Sequence, residues 1–394
     1  MLFVMLAAYL CLICPPAQAQ DAADQVNAVL SRLESAISAE FSLSLPLPAA
    51  SAGVSYSFDP ATGNFQRDPA TFGQIYLDRA DPLGAGRLNL SFLYQFAKLD
   101  ELEGMNADNL HNREPIPLPG LLAAVQIPNL SFDAAVHSFL FAASYGITDD
   151  LEASVAVPLE YSNIHLKADI VAAAISESGE LVILPERINQ HTHPVGIGDV
   201  MARLKYRLFS GRELHAAAGL LLRFPTGDKH DLQGTGYTEV APALLASTRM
   251  FHAADWARFQ SHLNVTVGFN ADHVNSSEAR WGYGVDWGIT DDATVSVSFL
   301  GRHPFSRIGP AGSFEFPSCD TDVVTCAADP SARDSTTNIF GLTGDRANAY
   351  TATVGGRAGL WRDTLFALIN VAVPLNDALV RTWPVPLIGL EATF

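Results

Sequence analysis

A serine and a histidine stand side by side in the segment "RFQSHLNVTVGF", as Ser261 and His262. Such a pair suggests nucleophilic catalysis, in which the histidine takes the serine proton and an acidic group orients the histidine. The surrounding residues alternate between polar and apolar, and neighbours on a strand point to opposite faces. The two side chains therefore do not meet. Since no other pair stands out, we predict no catalytic residue and no enzyme.

Two further motifs could hold a ligand. "QHTHP" places His191 and His193 two residues apart in a long polar link, but a zinc site needs additional ligands that the neighbouring sequence lacks. "RFPTGDKHD" could gate a ligand or bind a cation, yet Pro225, Gly227 and Asp228 also have the composition of a turn after a strand. We favour solvated histidines and a turn, and we predict no metal site and no cofactor.

Cysteine pairing is the clearest chemistry in the chain. Cys11 and Cys14 lie in the N-terminal apolar run, and Cys319 and Cys326 share the polar segment "CDTDVVTC". Two cysteines this close in an exported chain favour a disulfide, and two thiols alone do not complete a tetrahedral metal site. We predict a Cys319–Cys326 bond in an outward loop.

Charged side chains recur on the polar faces of alternating segments. Arg203, Lys205 and Arg207 share one such face. Comparable positions elsewhere carry the basic residues Arg223, Arg258, Arg280 and Arg357 and the acidic residues Glu152, Glu160, Glu239 and Asp286. Inside a barrel, these residues would either line a lumen that selects solutes or fill the interior with salt bridges. Both interpretations remain open from the sequence.

The alternating segments that carry these charges have the pattern of long membrane strands. "RLNLSFLYQF" sets Leu88, Leu90 and Phe92 on one face against Asn89 and Ser91 on the other. Strands of soluble sandwiches usually run ~5–6 residues, whereas these segments run to about ten or more, the length that a tilted membrane strand requires. The alternation continues to Phe394 at the C-terminus, as expected if the last strand closes a barrel onto the first.

About twelve such segments are separated by links that alternate between short and long. The segments are 86–97, 130–145, 151–166, 198–209, 213–225, 237–250, 256–270, 279–290, 293–303, 347–360, 364–374 and 385–394. "GITDD" and "SGR" are short links, while 167–197 and 304–346 are long. Short turns on one side and long loops on the other predict an antiparallel up-and-down barrel with both termini in the periplasm.

The N-terminal part differs from the barrel region 86–394. Residues 1–19 resemble a signal peptide that ends at "AQA". Residues 24–39 have one apolar stripe at helical spacing, so we expect residues 20–85 to contain a helix and a plug-like segment. Alternatively, 53–59 and 64–77 form an extra hairpin and the barrel has fourteen strands.

Composition agrees with a membrane barrel. Hydrophobic residues make up 48% of the chain and charged residues 17%, with a formal net charge of −18. Outside the N-terminal segment 1–19, no apolar run of the sequence reaches the ~18 residues of a membrane helix. The acidic balance argues against nucleic acid, which requires basic surface.

Several sequence segments resemble those of a known protein family. "SYSFDPATGNF", "FGQIYLDRADPLGAGRLNLSFLYQF", "GIGDVMARLKYRL" and "RFPTGDKHDLQGTG" are similar to the outer-membrane transporters associated with phenol meta-cleavage pathways. The resemblance covers the chain from about Gly53 to Phe394. It implies an outer-membrane barrel, and it implies that Phe394 is the signal read by the barrel-assembly machinery.

We therefore expect an outer-membrane barrel, embedded in outer-membrane lipid, that mediates passive uptake of small molecules. The family resemblance implies hydrophobic or aromatic solutes. The competing expectation is a structural or surface-interaction barrel with a closed lumen, whose long loops bind a partner.

Overall fold

The computed structural model describes residues 33–46, 56–59, 64–67, 76–111, 114–117, 122–175, 179–248, 251–254, 257–272, 274, 277–290, 292–305, 315–329, 335–338, 340, 342–343, 348–361 and 364–394. The predicted signal peptide lies outside these residues. Among the helices of the described ranges, none is long and apolar enough to cross a membrane.

Twelve strands of the described chain close into one antiparallel ring, with each strand paired to its neighbours in sequence and the last paired to the first. They are β1 Leu88–Leu102, β2 Ala123–Gly146, β3 Leu151–Ile175, β4 Val200–Ser210, β5 Leu214–Phe224, β6 Glu239–Thr248, β7 Ala257–Asn270, β8 Glu278–Gly288, β9 Ala293–Pro304, β10 Ala349–Trp361, β11 Leu365–Pro374 and β12 Val385–Thr393. The prediction of an all-β barrel of about twelve strands is confirmed.

Phe394 completes the seam of the ring. Its amide donates to the Leu88 carbonyl at 2.8 Å, and its carbonyl accepts from the Leu88 amide at 3.0 Å. Every edge of the barrel is thereby paired, which removes the exposed strand edge that would invite aggregation.

Shorter elements extend the sheet or stand apart from it. Six further strands of the described residues join it: the 12-residue strand Leu181–Thr192 and the short strands Met105–Asn106, Ile116–Pro117, Val195–Ile197, Phe251–Ala254 and Val380–Thr382. Two separate hairpins are Tyr56–Asp59 with Asn64–Arg67, and Glu315–Ser318 with Ser335–Asn338. Within the described residues, the helical elements are α1 (33–43), a 3-10 turn at Lys229–Asp231 and α2 at Val323–Ala328.

Two expectations are corrected by these bounds. The hairpin at 56–67 forms its own sheet, so it adds no strand to the barrel and the fourteen-strand alternative is wrong. The link 167–197 is largely β-structure, because β3 runs on to Ile175 and pairs with Leu181–Thr192. The extension is stabilised by burial of Ala168 and Ile170 in a hydrophobic cluster at that end.

The exterior of the barrel is apolar and the interior is polar. On β4, Leu204 is 49% exposed and Tyr206 52%, whereas the intervening Lys205 is 1% exposed. A belt of outward aliphatic and aromatic side chains with inward polar groups is the arrangement of a barrel surrounded by lipid.

A cluster of buried apolar side chains lies at the long-loop end of the barrel, and we call it the hydrophobic cap. It includes Leu33, Ile37 and Phe41 of α1 together with residues of the loops and strand extensions, among them Leu99, Leu110, Ile116, Val125, Ile170, Phe340 and Leu342. Leu33 and Ile37, two apolar residues of the stripe predicted for residues 24–39, pack α1 into the hydrophobic cap. The described helix continues to residue 43, short of Pro46.

Candidate functional site

Two stretches of the N-terminal region, 33–46 and 76–83, lie against the inner wall, and we call them the interior segments. Arg223 of β5 donates to the Ser42 carbonyl at 3.1 Å, and the Ala80 amide donates to Ser247 of β6 at 2.9 Å. Because Arg223 and Ser247 are buried on the polar face of their strands, these contacts place the interior segments within the barrel.

One buried ion cluster joins residues 76–83 to β3 and β4. The Lys205 ammonium lies 3.2 Å from Asp78 and 3.3 Å from Glu152, and Arg203 also contacts Asp78. The Leu83 amide donates to the same Glu152 carboxylate at 2.9 Å. A buried charge is tolerated only where it is paired and hydrogen-bonded, so this cluster holds the segment and the wall together.

A second ion cluster lies beside α1. Arg302 of β9 contacts Glu40 of α1 at 2.7 Å and Glu278 of β8 at 3.1 Å. Arg280 pairs with Glu278 at 3.4 Å and also with Glu239, which accepts from Arg223 at 3.3 Å. The chain of alternating charges therefore runs across β5 to β9 and ends on the helix.

Arg280 and Glu239, two of the predicted charge positions, belong to the second ion cluster, and the remaining predicted positions fall into three groups. Arg203, Lys205, Glu152, Glu160, Arg223 and Asp286 are all buried on the inner face. Arg207 lies near the short-turn end, where it contacts Asp150 at 2.6 Å, and Arg258 is half-buried at the start of β7. Arg357 and Glu391 contact each other at 2.8 Å near the barrel seam.

Loop 225–238 folds back into the mouth of the barrel. The Asp199 carboxylate accepts from the Thr235 amide and hydroxyl, both at 2.7 Å, and from the Gly227 amide at 3.2 Å. The Gly234 carbonyl accepts from Ser38 of α1 at 2.6 Å. "RFPTGDKHD" therefore forms a turn that contacts the interior helix.

A serine, a histidine and an aspartate form a buried hydrogen-bonded chain. Ser247 lies 2.9 Å from His262 Nδ1, and His262 Nε2 lies 3.0 Å from Asp286, which also accepts from Ser296 at 2.8 Å. In the usual catalytic triad the serine binds Nε2 and the acid binds Nδ1, which is the reverse of this order. Ser247 also accepts the Ala80 amide, so its oxygen is covered by the interior segment.

Sequence reasoning missed this chain because it considered adjacent residues. Ser261 and His262 do face opposite sides: His262 is buried inside, and Ser261 bonds to Thr248. Ser247 reaches His262 because β6 and β7 pair these two residues directly. The register between strands is the signal that would have identified them.

A cavity of about 170 Å³ lies between the interior segments and the wall formed by β7 to β12. Its apolar lining includes Leu43, Leu45, Leu77, Leu300 and Val385, and its polar lining includes Glu40, Thr266, Arg280, Arg302, Arg381 and Thr382. Gly282 leaves room in the wall, since a Cβ at this position would meet the Leu77 and Leu300 side chains at 2.4 and 2.7 Å. The size and lining of this cavity suit a small ligand.

The outward loop carries a disulfide between Cys319 and Cys326, whose Cα atoms are 5.7 Å apart. Both cysteines are buried against Ala124 of β2 and Ala173 of β3. The bond joins α2 to Cys319 just before it, and the bridged segment packs on the long β2–β3 hairpin.

The two histidines of "QHTHP" are exposed, but His191 lies on the strand Leu181–Thr192 rather than in a loop. Its ring contacts those of His165 and His193 at centroid distances of 4.9 and 4.2 Å. Within the described residues, no group of three or more His, Cys, Asp or Glu side chains could hold a metal ion.

The chain matches no protein-family model and no curated protein. Among solved structures, an outer-membrane channel from Pseudomonas putida F1 has 13% identity and a TM-score of 0.42, covering 80% of this chain and 98% of that one. The Ralstonia pickettii toluene transporter TbuX has 10% identity and a TM-score of 0.35, covering 79% and 90%.

The mutant monoaromatic hydrocarbon channel TodX has 8% identity and a TM-score of 0.34, covering 88% of this chain and 98% of that one. Because these TM-scores are below 0.5, the barrel assignment rests on the strand pairing of this chain itself. The association with phenol meta-cleavage pathways remains a prediction.

Proposed function

We propose that this chain is an outer-membrane β-barrel that mediates passive uptake of small hydrophobic or aromatic molecules. The observation that carries the proposal is the cavity between the interior segments and the wall of β7 to β12, within a closed barrel whose exterior is apolar. Ligand sites are typically concave and mostly apolar with a few placed polar groups.

The interior segments act as a plug that makes the route narrow and specific. Their contacts with the wall include Asp78 with Lys205, Glu40 with Arg302 and Arg223 with Ser42. A solute would move through the cavity as these segments shift, without a water-filled pore. Export by the signal peptide of residues 1–19, insertion into outer-membrane lipid and recognition of Phe394 by the assembly machinery belong to the same proposal.

A bulky residue in the cavity tests the function. Thr266 lines the cavity from β7, whereas its neighbour Val265 is 46% exposed on the outer face. In Gram-negative cells lacking their own general porins, we expect Thr266→Trp to reduce uptake of a labelled single-ring compound, with Val265→Trp as the matched control. Folding is checked by heat-modifiable gel migration.

The second candidate is a structural or surface-interaction barrel. Buried ion clusters inside and the hydrophobic cap at the long-loop end favour a closed lumen. If wild-type protein and Thr266→Trp give the same uptake as cells without the barrel, for every compound tested, the transport function is wrong and the structural one is supported.

A further inference from the structure

The cavity has the dimensions of one aromatic ring. Its volume of about 170 Å³ is close to the ~150 Å³ of an engineered apolar cavity that binds benzene. Leu43 and Leu45 from the interior side and Leu77 and Leu300 near Gly282 supply apolar contacts.

The charges that line the cavity are paired in the described part of the chain. Arg302 binds Glu40 and Glu278, and Arg280 binds Glu278 and Glu239. At the far side, Arg381 contacts Glu101 at 2.9 Å, Asp377 at 3.2 Å and Asp100 at 3.9 Å. Each arginine of the lining is therefore ion-paired with carboxylates of the protein.

From this pairing we infer that the cavity selects electrically neutral single-ring molecules and rejects carboxylates of the same size. At Arg302, a carboxylate would have to displace Glu40 or Glu278, leaving a partly buried protein carboxylate without this partner, which is unfavourable. A neutral molecule leaves these pairs intact. This inference deepens the proposed function and rests on it.

A hydrogen-bonding substituent on the ring would also find partners. Thr266 and Thr382 line the cavity and are buried, and a threonine hydroxyl both donates and accepts hydrogen bonds. A neutral hydroxyl on the ligand fits this lining, whereas an ionised carboxylate only accepts and also carries the unfavourable charge.

The test compares ligands that share one ring. Benzyl alcohol and benzoate are titrated by calorimetry against full-length protein in lipid nanodiscs at pH 7.5, where benzoate is ionised. Thr266→Trp gives the baseline for partition into lipid. We expect benzyl alcohol to bind at least tenfold more tightly than benzoate above that baseline.

Removing the Glu40 carboxylate from Arg302 should reduce the preference of the cavity for neutral ligands over carboxylates. In Glu40→Gln, Arg302 keeps only Glu278, and we expect benzoate affinity to rise about tenfold while benzyl alcohol affinity stays the same. Glu34→Gln is the control on the same helix, since Glu34 pairs with His230 at 3.1 Å and is not part of the cavity lining.

The outcomes separate the inference from the function on which it rests. Equal wild-type binding of benzoate and benzyl alcohol overturns the neutral selectivity but leaves the uptake function standing. If neither ligand binds above the Thr266→Trp baseline and wild-type uptake equals that of cells without the barrel, the uptake function itself is wrong. The wild-type comparison decides even if Glu40→Gln fails to fold.

Discussion

Asp78 and Lys205, which are 127 residues apart in sequence, form an ion pair of 3.2 Å inside the barrel. Asp78 belongs to the interior segments and Lys205 to β4, and both side chains are almost completely buried. This pair and its neighbour Arg203 hold the N-terminal region against the wall.

Replacing Asp78 by Asn should loosen that attachment. The amide has the same shape but no charge, so Arg203 loses its carboxylate while Lys205 keeps Glu152. Removing one partner of a buried pair typically costs about 3–5 kcal/mol, and we expect a loss of about 3 kcal/mol in the free energy of unfolding. Denaturant titration in detergent measures it, with the exposed Asp108→Asn as control. Equal losses for both variants would contradict the role of Asp78.

The Ser247–His262–Asp286 chain should act as an attachment point and not as a catalyst. Ser247→Ala leaves the Ala80 amide without its acceptor, and an unsatisfied buried group costs about 1–3 kcal/mol. We expect lower stability and faster proteolysis within the interior segments, compared with Ser261→Ala on the outer side. The rate of ester hydrolysis should be the same for the wild-type protein and Ser247→Ala. An esterase activity that disappears in Ser247→Ala would show that the site is catalytic.

Gly282 and Leu77 should be energetically coupled. A methyl group at Gly282 would displace the Leu77 side chain, and such overpacking typically costs about 1–3 kcal/mol. We expect Gly282→Ala to destabilise the protein and Leu77→Ala to suppress that effect in the double variant. Gly219→Ala is the control, because its Cβ would make an ordinary contact of 3.5 Å with Ala243. If the two substitutions changed the free energy of unfolding in a strictly additive way, Leu77 would not be in contact with position 282.

The Cys319–Cys326 bond should stabilise the outward loop without affecting the barrel. Closing a loop of this length stabilises by about 2–3 kcal/mol in the chain-entropy model. Peptide mass analysis of the unreduced protein should find one bridged peptide. The double variant Cys319→Ser/Cys326→Ser should expose 315–329 to protease while heat-modifiable migration is preserved. Two free thiols in the wild-type protein would refute the bond.

The start of α2 should be sensitive to acid. Asp322 accepts from the Thr325 amide and hydroxyl at 3.1 and 2.8 Å and from the Val324 amide at 2.9 Å, and these hydrogen bonds lower the pKa of its carboxyl group. Because the folded pKa is depressed, the stabilisation is present above the ~3.9 of an unfolded aspartate. It is lost as pH falls through the folded pKa.

Hydrogen exchange of the Val324 and Thr325 amides measures this local effect. Below about pH 4 their protection should decline in the wild-type protein. Asp322→Asn, whose side chain still caps a helix but does not titrate, should show no such decline. A parallel decline in both proteins would mean that another group controls the loop.

Much of the fold is determined by local sequence patterns. Period-two alternation gives each strand its two faces, and the alternation of short and long links gives the antiparallel order. The run of alternating residues to Phe394 indicates closure, which the pairing with Leu88 provides. These features depend on residues close in sequence, so the pattern alone was sufficient to predict twelve strands.

Which side chains meet at the candidate site is determined only by the tertiary structure. Glu40 and Arg302 are 262 residues apart, and Ser247 meets His262 only through the register of β6 and β7. Alternation indicates that Lys205 faces inward, but it does not indicate whether water or Asp78 will meet it there. The choice between an open lumen and a salt-bridged interior depends on which side chains from distant segments pair in a low-dielectric space. That pairing is a property of the folded chain, because desolvation makes a buried charge stable only beside its partner.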